Sequence, residues 1–271
     1  MIWLGTSGYS YADWHEVYYP ADLASGDRLA FYVAEFDAVE INYTYYRMPT
    51  ADHMQRLVAQ TPDRFYFAVK AHQDITHKRR DDPVPWAQFR AAMAPLQQQG
   101  KMGAVLLQFP HSFHNTSQNA DYIRRCADQL PGLPLVVEFR HNDWITQRTL
   151  ALLRENGIGF CNVDMPQLPG LLPKTAFVTS PTAYVRFHGR NKEKWWQHDE
   201  AWERYSYSYD ESELKEWIPR LNQMNKQAEN LFVFANNHWQ GQSVTAIRQL
   251  KLLLDGHTAV DPGAMEALPT S

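Results

Sequence analysis

A chain of 271 residues that is 44% hydrophobic and 21% charged carries enough apolar material for a full core, which excludes an intrinsically disordered chain. A net charge of -4 excludes a global basic field for non-specific nucleic-acid binding, although it leaves room for a local basic pocket. Cys126 and Cys161 share no ligand spacing and read as buried reduced thiols. The opening IWLGTSG reads as a strand rather than a leader, and no apolar stretch reaches the roughly 18 residues of a membrane span, so a cytoplasmic protein with no membrane contact is expected.

In chain order, short β-rich runs alternate with helix-period segments. The predicted strands are 2–6, 38–42, 65–70, 104–109, 135–139, 159–163, 183–187 and 231–235. Runs such as AVLLQF and LVVEF are apolar on both faces, as in a parallel sheet covered on both sides. Between them, Thr50 caps a predicted helix running to about Gln60, and Thr116 or Ser117 caps NADYIRRCADQL, which stops at Pro131-Gly132. Asp143 precedes WITQRTLALLRENG, with Gly157 as its stop. Asp210 begins ESELKEWIPRLNQMNKQA, where Glu211 and Lys215 pair at i,i+4 and Pro219 marks a kink or break. Ser243 caps VTAIRQLKLLL.

The sixth unit is irregular, because MPQLPGLLPK is proline-rich and lacks a helical pattern. The loop after the seventh strand, 191–209, is long and aromatic. Eight strands with intervening helices predict an α/β fold, a single (β/α)8 TIM-like barrel over residues 1–254, with a loose tail at 255–271. A doubly wound open sheet is the structural alternative.

In such a barrel the C-terminal strand ends face the active-site mouth. The predicted ends deliver Thr6, Ser7 and Gly8; Glu40 and Asn42, with Arg47 beyond; Lys70, then His77; Gln108; Glu138 and Arg140, with Trp144 beyond; Asn162 and Asp164; Arg186, His188 and Arg190; and Asn236, Asn237 and His238. Glu40/Asn42, Glu138/Arg140 and Arg186/His188 are each two apart and share a face of their strand. If those faces point inward, the polar groups converge on one cavity. A structural ion-pair network closing the barrel top is the alternative, since buried charges need partners.

Arginine's planar fork suits phosphate or carboxylate, so Arg140, Arg186 and Lys70 predict an anionic or oxygen-rich ligand. Glu40, Glu138, Asp164 and His188 are candidate proton-transfer groups. Asn42, Arg47, Lys70, His77, Gln108, Arg140, Trp144, Arg186, Asn236 and Asn237 are candidate binding groups. The carboxylates with His77 or His188 also offer a divalent-metal set, which no HExxH or CxxC spacing favours, so the cofactor stays open. The top-loop aromatics, among them Tyr9, Tyr11, Trp195, Trp196, Trp202 and Tyr205, read as lid packing for most and ligand contact for a few.

GTSGYSYADW, VEINYTYYRMP, FAVKAHQDITH, LLQFP, VVEFRHNDW, YVRFHGR and FANNH, in this order, resemble the YecE-like family, the domain of unknown function numbered 72. The resemblance runs from about Ile2 to Leu254. It implies a TIM-like barrel akin in shape to sugar-isomerase-like barrels, and no established reaction. The family's recurrent polar positions match the candidates above, whereas His15 and His72 fall outside the pattern and Tyr45 replaces a more usual phenylalanine. The leading expectation is an enzyme, a hydrolase or isomerase, acting on a polyhydroxylated or phosphorylated small molecule. A metal-dependent nucleic-acid-processing protein and a non-catalytic ligand-binding module are the alternatives.

Overall fold

The computed structural model describes residues 1–200 and 202–256. Among them, eight strands close into a parallel barrel in chain order: β1 (Ile2–Ser7), β2 (Ala38–Ile41), β3 (Tyr66–Lys70), β4 (Met102–Gln108), β5 (Leu135–Glu138), β6 (Gly159–Asp164), β7 (Thr182–Phe187) and β8 (Asn230–Ala235). The closing seam pairs β1 with β8, from Ile2 against Leu231 to Thr6 against Ala235, which rules out the open sheet. Gly5 makes a close approach possible at the β1–β2 seam. A Cβ there would lie 1.9 Å from the Ala38 carbonyl oxygen.

The outer layer holds α1 (Arg28–Val33), α2 (Ala51–Ala59), α3 (Val84–Gln98), α4 (Ser117–Gln129), α5 (Gln147–Glu155), α6 (Glu211–Lys215), α7 (Ile218–Gln227) and α8 (Gln242–Leu254). Local chemistry sets their starts. The Thr50 hydroxyl accepts from the His53 amide and Thr116 from Asn119, each satisfying an orphan N–H of the first turn. Asp210 and Glu213 form a capping box for α6, and Glu211 pairs with Lys215. Pro219 divides the long predicted helix into α6 and α7 and lies in the first turn of α7, where its missing N–H costs nothing.

Two expected starts move. Residues Asn142–Trp144 form a separate 3-10 turn, so α5 is capped by Thr146 rather than Asp143. Gly241, at φ 72°, is the N-cap of α8, which places Ser243 inside that helix. Asp255 is the C-cap of α8, and the rest of the expected tail, 257–271, lies outside the described residues. No helix among the described residues is long and apolar enough to cross a membrane.

Residues 165–181 form no helix, as the proline-rich run predicts. Asn162 secures this connection instead. Its Oδ1 accepts from the Thr175 hydroxyl and the Phe177 amide, both at 2.8 Å, and its Nδ2 donates to the Phe177 carbonyl at 2.9 Å. A side chain thus supplies the partners that helical backbone would have supplied itself.

Side chains two apart stack up the inside of the barrel. At the base, the rings of Trp3 and Tyr66 lie 4.4 Å apart, and Tyr66 and Phe232 6.0 Å. Tyr184 packs on Phe234 at 5.3 Å above them. The next layer is charged and carries Glu40, Glu138 and Arg186, all buried. The apolar layers fill the barrel below it, and the charged layer lies toward the C-terminal mouth.

Candidate functional site

The charged layer joins β2, β5 and β7. Arg186 donates Nη2 to Glu40 Oε1 and Nη1 to Glu138 Oε2, both at 2.7 Å. Glu40 also accepts from the Ser7 hydroxyl at 2.6 Å and the Tyr184 phenol at 2.7 Å. Arg140 Nε forms an ion pair with Glu138 Oε1 at 2.5 Å. The Asn236 side-chain N–H donates to His188 Nδ1 at 3.1 Å, which fixes the tautomer and leaves His188 Nε2–H to donate to Glu138 at 3.1 Å.

These contacts settle the charges. Burial pushes both carboxyls up, but Arg186 and the Ser7 hydrogen bond hold Glu40 below the usual carboxylate range, and Arg140 and Arg186 hold Glu138 well below it. Burial lowers His188 to about 4 despite Glu138, so its imidazole is neutral. Two saturated carboxylates of this kind are poor proton acceptors. Their geometry makes them the clamps that aim Arg186 and Arg140.

Above this layer open two adjoining cavities, of about 300 and about 600 Å³, which share Tyr46, Lys70, Arg140 and Tyr205 as walls. The smaller adds His77, Gln108, His111, Trp195, Trp196 and Arg204. The larger adds Asn42, Arg186 and Asn236 with Tyr9, Tyr11, Tyr43, Trp202 and His238. Lys70 Nζ lies 4.5 Å over the Tyr45 ring and makes no hydrogen bond or ion pair among the described residues. Burial, then the nearby Arg186, depress its pKa to about 7. His77 rides on a π-helical turn, Asp74–Lys78, and burial with Lys70 and Arg140 lowers it to about 4. Burial raises the Tyr205 phenol, but Arg140, Arg204 and Arg186 outweigh it and bring the phenol below its ordinary value. The mouth is thus cation-rich, with Glu40 and Glu138 behind it.

Of the predicted site residues, Asn42, Lys70, His77, Gln108, Arg140, Arg186 and Asn236 line the cavities, and Glu40, Glu138 and His188 form the layer beneath. Four lie elsewhere. Asp164 does not join the site, because it faces out of the barrel. It accepts from Tyr209 at 2.7 Å, Trp217 at 2.7 Å and twice from Arg190, at 2.8 and 2.9 Å, fastening the aromatic loop and α7 to β6. Trp144 does not cover a ligand. It is fully buried, stacked on Phe139 at 4.3 Å, and donates its indole N–H to the Phe113 carbonyl. Arg47 is exposed outside both cavities, and Asn237 is buried with its N–H bound to the Tyr207 carbonyl. Among the described residues, the metal set drawn from Glu40, Glu138, Asp164 and His188 does not assemble.

Sequence reasoning passed over Tyr184, Tyr46 and His111. Tyr184 was within reach, since it shares strand parity with Arg186 two residues on. Tyr46 and His111 stand on loops, where no period reports direction. Among the lid aromatics, Trp202 stacks on Trp239 at 3.8 Å while still lining the larger cavity, and Trp195 is buried as a wall of the smaller.

Residues 3–269 match the family model described as "Protein of unknown function DUF72". The chain is 32% identical to the UPF0759 protein YunF of Bacillus subtilis (strain 168), covering 94% of this chain and 95% of that one. A DUF72 family protein of Thermotoga maritima superposes with a TM-score of 0.87 at 36% identity, over 94% of this chain and 99% of the other. A DUF72 family protein of Enterococcus faecalis V583 superposes at 0.83 with 26% identity, over 99% and 100%. The match over nearly the whole chain, the shared barrel and the motifs that build its mouth agree, and the chain belongs to the DUF72 family.

Proposed function

We propose that this protein is an enzyme acting on a phosphorylated or otherwise anionic polyhydroxylated small molecule at the barrel mouth. The observation that carries the reading is the separation of charge: Lys70, Arg140 and Arg204 line one cavity of about 300 Å³, while Glu138, the carboxylate that orients Arg140, lies beneath it. Arginine forks aimed by buried partners lose little freedom on taking up an anion. Gln108 and Asn236 offer amides to hydroxyl groups. Lys70, close to half neutral near pH 7, is the proton-transfer group of the site, and Glu138 and Glu40 act through the arginines they hold. Proton transfer of this kind serves isomerisation and hydrolysis.

The test is calorimetric titration with sugar phosphates, sugar acids and inorganic sulfate, set against neutral sugars. Anions are expected to bind, with Arg140→Ala and Arg204→Ala each weakening them at least tenfold. Equal binding of neutral sugars, or anion binding unchanged in both variants, defeats the reading.

A second reading draws on the larger cavity, where Tyr9, Tyr11, Tyr43 and Trp202 offer ring faces next to the cationic half. A base can stack there with its phosphate beside Arg140. Fluorescence anisotropy of labelled single-stranded oligonucleotides over a salt series separates the two. Salt-dependent binding that Tyr43→Ala and Trp202→Ala weaken favours nucleic acid, and no binding at low salt removes it.

A further inference from the structure

We propose that His114, His141 and Asp143, with His111 beside them, form a binding site for one divalent transition-metal ion of the zinc class on the rim of the barrel mouth. The proposal does not rest on the anion-site reading, because its ligands stand on two loops outside the charged layer. His111 and His114 follow β4, and His141 and Asp143 follow β5.

Among the described residues His114, His141 and Asp143 form the one group of three or more metal-ligating side chains with ligand atoms within 4.8 Å of one another, and His111 stands beside it. His114 Nδ1 lies 2.9 Å from Asp143 Oδ2, and His141 Nδ1 lies 3.1 Å from Asp143 Oδ1. Ligands at about 2.0–2.2 Å around a tetrahedral ion stand about 3.3 Å apart, so the two histidine–carboxylate separations are close to those of a coordination shell and side-chain rotation brings the three ligands onto one ion. The ring centroids of His114 and His141 are 4.3 Å apart, and those of His111 and His141 4.8 Å.

The second observation concerns unmet polar atoms. The Asp143 amide donates to His141 Nδ1, so that nitrogen presents a lone pair. Asp143 Oδ1, also a lone-pair atom, is buried 3.1 Å away and has no partner other than a protonated His141. Two acceptors facing each other at that distance repel unless a proton or a metal ion lies between them, and a metal ion satisfies His114, His141 and Asp143 together. Gly170, at φ 82°, borders the cluster, its Cβ position 3.4 Å from His111 Nε2 and 3.6 Å from His141 Nε2. His114, half exposed, leaves the cluster reachable from solvent.

The donor set names the class of ion. Imidazole nitrogens with one carboxylate suit zinc, nickel, copper or iron, whereas magnesium and calcium require oxygen shells. His111 faces the smaller cavity and meets Trp196 edge-on at 5.1 Å, so an ion held here stands at that cavity's wall.

The test uses full-length, untagged, chelator-treated protein. Isothermal titration with zinc chloride is expected to give a site that magnesium chloride does not fill, and cobalt substitution to give visible absorption bands of tetrahedral strength. His114→Ala and Asp143→Asn, at positions accessible enough to leave the fold intact by circular dichroism, are expected to weaken zinc at least tenfold and abolish the cobalt bands. His15→Ala, an exposed histidine elsewhere, is the control and is expected to change nothing. If several zinc ions bind, the first two variants are expected to remove one. No zinc binding by the wild-type protein, or zinc affinity and stoichiometry unchanged in both ligand variants, overturns the proposal.

Discussion

Lys70→Met is expected to stabilise this protein, and to do so most at low pH. The wild-type ammonium is buried between Tyr45 and the arginines, and its pKa falls from 10.5 to about 7. At about 1.36 kcal/mol per pH unit, that depression corresponds to a cost of about 5 kcal/mol when the group is fully charged. Water at the cavity mouth screens part of it, leaving about 1–3 kcal/mol. Removing the cation forfeits about 0.5–1 kcal/mol of its attraction to the Tyr45 ring. The net gain is about 1–2 kcal/mol.

The sign follows from linkage. Below about pH 7 both folded and unfolded chains hold the proton, and the cost is fully present. Between about 7 and 10.5 the unfolded chain binds more protons, so wild-type stability rises with pH and the advantage of the variant shrinks. Urea unfolding followed by circular dichroism at pH 6, 7.5 and 9.5 reads this directly. A difference that stays constant over that range, or a variant less stable than wild type at pH 6, refutes the reasoning.

Other substitutions separate the parts of the barrel. Glu138→Gln strands Arg140 and half of the Arg186 pairing in a buried layer, so a loss of about 3–5 kcal/mol is expected in urea unfolding. Arg140→Ala leaves Glu138 with Arg186 and His188, so a loss smaller than that of Glu138→Gln is expected in urea unfolding while sulfate binding, read by calorimetry, falls at least tenfold. Asp164→Asn weakens the anchor shared by Arg190, Tyr209 and Trp217. It is expected to cost about 2–4 kcal/mol and to speed hydrogen exchange in residues 189–209. Gly5→Ala drives a methyl group into the Ala38 carbonyl, and a loss of about 3 kcal/mol or more is expected in its thermal midpoint series.

The strands were legible because each is a short apolar run between turn signals, and the observed bounds move by no more than two residues. The convergence of Glu40, Glu138 and Arg186 was legible from spacing, since residues two apart on a strand share a face. Direction was not. GFCNVD alternates Cys161 and Val163 with Asn162 and Asp164, and in a barrel covered by helices both faces are buried, so polarity does not tell inside from outside. Here the polar face turned outward, Asn162 to hold a connection lacking a helix and Asp164 to hold the aromatic loop. Trp144 misled for a related reason: its place just past a strand end suggested the mouth, whereas the turn at Asn142–Trp144 folds it back between Phe113 and Phe139. The cavity walls on loops, such as Tyr46 and His111, follow no period and emerge only once neighbouring loops are packed together.

The charged layer also bears on how the chain reaches its folded state. Glu40 and Glu138 arrive with β2 and β5, yet the guanidinium they share lies 146 and 48 residues further along the chain, on β7. A half-barrel ending at β5 would bury Glu40 without Arg186 and leave Glu138 with Arg140 alone, a species penalised by incompletely paired charge in an apolar setting. Such an intermediate has little reason to accumulate, and closure of the ring becomes the step that rewards burial of its earlier strands. The same three residues that orient the mouth therefore act as a check on assembly, tying the two halves of the barrel into one cooperative unit.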